Sequence, residues 1–408
     1  MPLVLLVATL PACGSSATGD PLASAAPAGA SLAGARTSGG DGGALLRVTT
    51  LAADGPGSLR AALAEAGPRT VVFDVAGVVD LDGRSLLVRE PHLTVAGVTA
   101  PSPGLTLVRG GLRIQTHDVV VRHLRLRPGE AGHGQRSGWE VDALTVAGPE
   151  AHDVVIEHCS LSWATDENLA ASGPRFGASG GAPDDPGAWR AGTARRVTFR
   201  NNLVAEALGR STHSEGEHSK GLLIHDNVTD VAVVGNLFAH NRERNPLLKG
   251  GASGIVANNL IYDPGEQAVA YALHADEWAG HPHETGRLAV IGNVLKLGPS
   301  SAPDLAFVDL EGDGPVELEL EGNLVLDRDA RPLAPRLHDH AGLRRAPTAR
   351  VRVDEAFWPS AEVFERVLEQ AGARPWDRDA IDERIVRQVR AGTGRIIDSE
   401  GDVGGYPR

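Results

Sequence analysis

The sequence predicts an all-β solenoid, in which short strands wind into stacked coils. A strand unit of apolar, often β-branched residues recurs along the chain and ends on asparagine, at intervals of 34, 23, 34 and 30 residues. Irregular repeats of this length are typical of solenoids whose loops differ from coil to coil. Abundant glycine, with 50 residues, and few aromatic residues also favour a chain of strands and turns. The repeated asparagines are Asn202, Asn236, Asn259, Asn293 and Asn323.

These asparagines are expected to be structural. At a corner of a coil, asparagine can adopt the left-handed backbone conformation at low cost. Its side-chain amide can also bond to the asparagines of neighbouring coils and form a ladder. Two upstream segments, VVVRHLRL and VVIEHCSL, fit the same frame with Leu124 and Cys159 at the sixth position. Cys159 is therefore expected to be buried and inert.

The first 44 residues are expected to precede the folded domain. Residues 1–13 hold a short apolar run that ends in Leu-Pro-Ala-Cys, close to a bacterial lipoprotein signal. The run is too short to span a bilayer. It predicts a secreted protein, or an outer-membrane or cell-surface lipoprotein anchored through Cys13; the alternative is a disordered apolar tail. Residues 14–44 are rich in Gly, Ala and Ser and predict a flexible linker, which leaves 45–408 as one domain.

Helices are expected only near the two ends of the solenoid. Ser58 is a plausible N-cap for a short capping helix over residues 59–66. Such a helix would cover the open end of the coils. Two further helices, over Ser360–Gln370 and residues 379–390, are expected to pack along or over the C-terminal end. Residues 173–192 are rich in Gly, Pro and Asp and predict a long loop.

The formal net charge of −13 argues against a general nucleic-acid-binding protein, because phosphate binding requires a basic surface. For the same reason, any site for a polyanionic sugar must be locally basic. Nothing in the composition implies a protein partner.

Three segments interrupt the strand pattern with polar and charged residues. Because coils stack, side chains from different coils can meet on one face. The segments are VDAL at 141–144 with HCSLSWATDEN at 158–168, EHSKGLL at 217–223, and HNRERNPLLKGG at 240–251.

The motifs in these segments resemble those of the bacterial pectate lyases, which are built on a right-handed parallel β-helix. Arg244-x-Pro246-x-x-Lys249 is similar to the R-x-P-x-x-R stretch of that family, with lysine in place of the second arginine. His218-x-Lys220-Gly-Leu resembles the segment that carries the family's substrate-binding lysine. These two motifs and the two described next occur in the family's order. The resemblance runs from about residue 45 to 407.

The resemblance extends to the metal site. Glu157-His158 with Asp166 is similar to the family's D-H…D-G stretch, and Asp142 falls where an upstream calcium-binding aspartate is found. The chain departs from the pattern at Ala170, where the family usually has a second calcium-binding aspartate.

The resemblance implies cleavage of polygalacturonate by β-elimination with the help of Ca²⁺. It implies that Arg244 removes the proton from C5 of the sugar, although a free guanidinium is always protonated and needs neighbouring cations to favour its neutral form. The implied substrate-binding residues are Lys220, Lys249, Arg242 and His218. The implied calcium ligands are Asp142, Asp166 and Glu167.

Each of these residues also has an ordinary interpretation. Asp142 and Asp166 fit solvated turns. Arg244 and Lys220 fit surface ion pairs with Glu243 and Glu217. A hydrogen-bonded structural histidine is expected at position 158.

Two other functions remain open on the sequence. A β-helix glycoside hydrolase would use the same carboxylates, but it gives the arginine and lysine segments no role. A non-catalytic carbohydrate-binding surface solenoid is compatible with the lipoprotein-like start.

Overall fold

The computed structural model describes residues 37–177, 184–339, 344–346 and 357–407. This part of the chain forms three long sheets, and each coil contributes one strand to each sheet in turn. The architecture is a right-handed parallel β-helix, so the predicted fold class is confirmed. Among the described strands, only Pro332–Leu333 pairs in antiparallel fashion, with Leu324–Leu326.

Neighbouring strands in each sheet follow one another in chain order, as stacked coils require. The first sheet contains Ala44–Val48, Arg69–Phe73, Leu93–Ala96, Val119–Arg122, His152–Glu157, Arg195–Arg200, Thr229–Val234, Ser253–Ala257, Gly286–Ile291, Pro315–Glu321 and Arg344–Ala346. The second contains Gly77–Asp80, Leu105–Val108, Leu124–Arg127, Ser160–Ser162, Leu203–Ala205, Leu237–Ala239, Leu260–Tyr262, Val294–Lys296, Leu324–Leu326 and Pro332–Leu333. The third contains Leu86–Val88, Leu112–Ile114, Leu144–Ala147, Glu167–Ser172, Lys220–Ile224, Leu247–Lys249, Val269–Leu273, Val308–Gly312 and Leu337–Asp339.

The interior of the coils is filled by rows of apolar side chains. Val119, Val154, Val197 and Val231 face one another in register on successive strands of the first sheet, and all four are buried. Such β-branched residues pack well on a pleated surface. Each coil therefore buries its apolar side chains against the next, which is why the strand unit repeats along the chain.

The predicted asparagine ladder is present at the corner between the first and second sheets. The Nδ2 of Asn236 donates to Oδ1 of Asn259, and Nδ2 of Asn259 to Oδ1 of Asn293, both at 2.9 Å. Asn202 and Asn323 extend the row at its two ends. The expectation that these residues are left-handed is wrong. Positive φ falls on the residue before each of them, at Asn201, Gly235, Asn258, Gly292 and Gly322.

Cys159 continues this row in the preceding coil. Its amide donates to Oδ1 of Asn202 at 2.9 Å. The thiol is fully buried, and burial raises its pKa to about 12. The residue is therefore inert as a nucleophile, as predicted.

A short helix, Leu59–Ala64, covers the N-terminal coils and ends two residues earlier than predicted. The hydroxyl of Ser58 accepts a hydrogen bond from the amide of Ala61, as an N-cap does. The predicted loop at 173–192 contains a second short helix, Pro186–Ala191, which buries Trp189. Residues 178–183 of that loop lie outside the described residues.

The C-terminal helices, Ser360–Gln370 and Ala380–Ala391, pack along the side of the solenoid. Their apolar faces cover the outer surface of the second sheet, where Val367 and Val389 join a buried cluster with Leu237. Two short 3₁₀ turns, Gly97–Thr99 and Glu400–Val403, complete the helical elements of the described chain.

Buried ion pairs attach the C-terminal segment to the second sheet. The guanidinium of Arg127 is fully buried and donates to Asp379 at 2.6 Å and to Asp382 at 2.8 Å. His123 donates from Nδ1 to the carbonyl of Ala373 at 2.7 Å. Burial of charged groups is tolerated here because each has an opposite charge or a hydrogen-bond partner.

The predicted signal at 1–13, with Cys13, and most of the predicted linker at 14–44 lie outside the described residues. The described chain already contacts the coils before residue 45. Thr37 donates to the carboxylate of Asp118, and the amide of Gly40 donates to the hydroxyl of Thr94. Within the described ranges, no helix combines the length and apolar character needed to cross a membrane.

Replacement of a central ladder residue should destabilise the fold. We expect Asn259→Ala to lower the free energy of unfolding by about 2 to 4 kcal/mol, because buried partners in two neighbouring coils lose their hydrogen bonds. Asn323→Ala is the control, since Asn323 is partly exposed and water can replace its side chain. Urea unfolding measures both, and equal losses would contradict the role of the ladder.

The C-terminal attachment should weaken in mild acid. Burial, with the nearby charge of His158, lowers the pKa of His123 to about 4, while the unfolded chain has the ordinary value near 6.5. Folding therefore resists protonation: the contribution is fully present above about pH 6.5 and is lost as the pH falls towards 4. Between pH 7.5 and 4.5, the wild type should lose roughly 2 to 3 kcal/mol more than His123→Gln in urea unfolding. Identical pH dependence would exclude His123 as the cause.

Candidate active site

Three carboxylates meet at the edge of the third sheet. Asp142 lies two residues before the strand Leu144–Ala147, and Glu167 opens the strand of the next coil, directly after Asp166. One carboxylate oxygen of each residue lies within 4.8 Å of one oxygen of each of the other two. The amide of Glu167 donates to Oδ1 of Asp142 at 3.0 Å, and the hydroxyl of Thr145 donates to the other oxygen. The three predicted metal ligands are therefore brought together.

The crowding of these acids changes their ionisation. Burial, and then the charge of Asp166, raise the pKa of Asp142 to about 6. Burial and both neighbouring aspartates raise the pKa of Glu167 well above its ordinary value, and only the charge of Arg244 counteracts them. Burial also favours the neutral form of Asp166. Its interactions with His218, Glu167 and His213 outweigh burial, so the pKa of Asp166 is lowered. A cation placed among the three would relieve this repulsion, and a donor set of oxygen atoms suits calcium.

Arg244 reaches this acid cluster from a different coil. It lies three residues before the strand Leu247–Lys249, and its Nη1 donates to Oε1 of Glu167. Arg244 has a positive φ of 61°, which an arginine rarely adopts. The predicted meeting of this guanidinium with the acids is thus observed.

Each of the other predicted cations is paired with a carboxylate. Lys220 stands in register with Glu167 on the adjacent strand and forms an ion pair with Glu243. Lys249 pairs with Glu277.

The pairing differs from the expected one at Arg244, whereas Lys220 does pair with one of the two expected glutamates. Arg244 pairs with Glu167 rather than with Glu243 or Glu217. The guanidinium of Arg242 forms ion pairs with Glu217, at 3.0 Å from Nη1 to Oε2, and with Glu266, at 2.6 Å from Nη2 to Oε1.

His218 is buried, and its Nε2 lies 2.9 Å from Oδ1 of Asp166. The imidazole therefore supports the acid cluster. A second imidazole, that of His213, stacks on it with ring centroids 3.7 Å apart. His213 and Thr145 are absent from the residues predicted from the sequence. The signal for His213 is the pair of histidines five residues apart in the loop that leads to Lys220.

Other residues of the predicted motifs have structural roles. Glu157 lies on the first sheet and pairs with Arg200 at 2.6 Å. His158 is directed towards the carbonyl of Gln370 at 3.0 Å, so the expected structural histidine is confirmed. Ala170 faces Thr145 across the third sheet, so no carboxylate is present there.

A groove of about 400 Å³ continues from Arg244 along the outer face of the third sheet. Leu247 and Ala272 form an apolar part of its lining. Arg244 and Lys249 contribute positive charge. Acidic residues are also abundant: Glu243, Glu266, Glu277, Asp309 and Glu311. The groove is thus lined by both signs of charge, and it adjoins the acid cluster through Arg244, which contacts Glu167.

Comparison with curated proteins identifies the family. A protein of Emericella nidulans named as a pectate lyase C is 34% identical over 344 residues, which cover 77% of this chain and 71% of the relative. The chain belongs to the pectate lyase family. A protein of the same name from Aspergillus fumigatus is 30% identical over 386 residues, covering 92% of this chain and 80% of the relative. This family membership makes the protein an enzyme with pectate lyase function, a polysaccharide lyase. No protein-family model matches the chain.

Solved structures agree on the fold of this pectate lyase. The major allergen of cedar pollen superposes with a TM-score of 0.52 at 15% identity, covering 84% of this chain and 92% of the allergen. A mutant of the Bacillus subtilis pectate lyase superposes with a TM-score of 0.50 at 12% identity, covering 83% of this chain and 94% of its own.

Proposed function

We propose that this chain cleaves polygalacturonate by calcium-assisted β-elimination, with Arg244 as the group that removes the C5 proton. One observation carries the proposal: the guanidinium of Arg244 contacts an acid cluster assembled from two other coils, and Arg244 also lines an open groove. Calcium held by Asp142, Asp166 and Glu167 would supply positive charge that stabilises the sugar carboxylate as C5 loses its proton.

Arg244 needs to leave Glu167 before it can accept a proton. An ion pair with the Glu167 carboxylate stabilises the guanidinium of Arg244. When Glu167 serves as a metal ligand, Arg244 loses that stabilisation and lies beside other cations instead. Both changes favour its neutral form, which alone has a lone pair for the C5 proton.

Lys220, Lys249 and Arg242 would bind the substrate carboxylates. Most of their partners are partly exposed glutamates, Glu243 among them. Lys249 also lies 4.0 Å from the buried carboxylate of Asp226. A substrate carboxylate can replace a partly solvated glutamate with little change in electrostatic energy, because such pairs are weak. His218 is buried against Asp166, and we assign it to the positioning of that carboxylate.

The contacts of the acid cluster disfavour a glycoside hydrolase. Arg244 forms an ion pair with Glu167, and a mechanism that uses two carboxyl groups gives this arginine no role. A non-catalytic solenoid is disfavoured by membership of an enzyme family.

We further propose that the enzyme is exported, either free or anchored through lipid on Cys13. The apolar run in residues 1–13 supports export. A polymeric substrate also has to be met outside the cell.

Replacement of the proposed base should abolish the reaction. Arg244→Lys keeps the charge but loses the planar guanidinium, and we expect at least a 100-fold lower kcat on polygalacturonate. The measurement is the ultraviolet absorbance of the unsaturated product, with calcium and with chelator. The matched control is Arg287→Lys, which changes an exposed arginine on the first sheet. Unchanged turnover by Arg244→Lys would exclude Arg244 as the base, and turnover in chelator would exclude the metal.

Addition of a carboxylate at position 170 should tighten calcium binding. Ala170 faces Thr145, whose hydroxyl donates to Asp142, so a side chain here lies beside the acid cluster. We expect Ala170→Asp to raise calcium affinity about tenfold in calorimetry, because affinity grows with the number of charged ligands. Ala170→Asn has nearly the same shape without the charge, and an equal gain from it would contradict this explanation.

A further inference from the structure

The imidazoles of His213 and His218 converge on one carboxylate oxygen of Asp166. The Nε2 atom of His218 lies 2.9 Å from Oδ1 of Asp166, and Nε2 of His213 lies 3.8 Å from the same oxygen. Both histidines are buried, whereas Asp166 is partly exposed. One ligand atom from each of the three lies within 4.8 Å of the others. The cluster therefore has an opening to solvent on the carboxylate side.

This donor set differs in chemistry from the neighbouring acid cluster. Two imidazole nitrogens with one carboxylate oxygen suit zinc, cobalt and nickel, whereas calcium prefers oxygen ligands alone. Two protein sites that share Asp166 would thus select different metals.

The rings approach one oxygen but must leave their stacked arrangement to share an ion. They stack with 3.7 Å between centroids and 16° between planes, and both Nε2 atoms lie within 3.8 Å of Oδ1 of Asp166. An imidazole binds a metal ion through a lone pair in the plane of its own ring. Binding of one ion by both histidines therefore requires one ring to rotate out of the stack.

A carboxylate is also available to support the metal-binding tautomer of His213. Nδ1 of His213 accepts a hydrogen bond from the amide of Glu215 at 3.2 Å. Ligation through Nε2 requires the hydrogen on Nδ1, and Oε1 of Glu140 lies 3.9 Å from that atom. Carboxylates that accept from a ligating histidine orient it and strengthen its binding. When Nδ1 of His213 carries the hydrogen, it can no longer accept from the amide of Glu215. Because Glu215 is exposed, water can accept that hydrogen bond instead.

We propose that His213, His218 and Asp166 form a second metal site, specific for a divalent transition ion such as Zn²⁺, Co²⁺ or Ni²⁺. The site stands on its own donor atoms and does not depend on the proposed calcium chemistry. Because both sites use Asp166, a transition ion bound here changes how that carboxylate is presented to the acid cluster.

Cobalt(II) alone is a suitable probe, because its visible ligand-field absorption reports nitrogen ligation. We expect the chelator-treated full chain to develop this absorption as one ion binds. His213→Gln and His218→Gln should each lower the affinity at least tenfold, and Glu140→Gln should lower it about 10- to 100-fold, as expected for an outer carboxylate. Circular dichroism checks that the variants are folded.

Two controls separate this site from its alternatives. His117→Gln removes a ligand from another two-histidine, one-aspartate group, formed with His92 and Asp118 on a different part of the surface, and it should bind cobalt as the wild type does. Asp142→Asn damages the acid cluster and should keep the cobalt absorption. The proposal is overturned if His213→Gln and His218→Gln titrate like the wild type, or if either control removes the absorption. These readouts do not involve lyase activity, so they stand whether or not the proposed elimination does.

Discussion

The hydrogen-bonded register between successive coils is the constraint on which the rest of the structure depends. Glu167 faces Lys220 across adjacent strands, and Lys220 bridges in turn to Glu243. Arg244 reaches Glu167 although 77 residues separate them along the chain. A slip of one residue would move each of these side chains to the opposite face of the sheet. The asparagine ladder and the inward apolar rows prevent such a slip, so structural repeats far from the groove position the chemistry within it.

Charge compensation is the second organising feature of the site. The chain is strongly acidic, and the cations at the groove are held by acids of the same chain, as Lys249 is by Glu277. If these cations bind the substrate as proposed, a polyanionic chain would exchange partners with the acids and would not meet a uniformly basic surface. Such an exchange would explain how an enzyme with a net charge of −13 acts on a polyuronate. It would also limit affinity, because each new ion pair would replace an existing one.

Much of the fold and part of the site could be predicted because they depend on local pattern. The strand period revealed the coils, and the helical spacing predicted Ser360–Gln370 at its observed bounds. Motifs identified Asp142, Asp166 and Arg244, and stacking explained how they could meet. Contacts set by tertiary packing could not be predicted in this way. The attachment of Arg127 to the C-terminal segment and the position of His213 depend on loop paths that no period encodes.

Asp166 connects the two halves of the site. On one side it adds negative charge to Asp142 and Glu167, which disfavours ionisation of both. On the other side its contacts with the imidazoles of His218 and His213 keep it ionised despite burial. Because position 170 is alanine, it adds no carboxylate beside this cluster, and the charge that Asp166 retains would carry more of the attraction for a cation. The buried histidines therefore influence the acids that are proposed to bind calcium, even though neither histidine lines the groove.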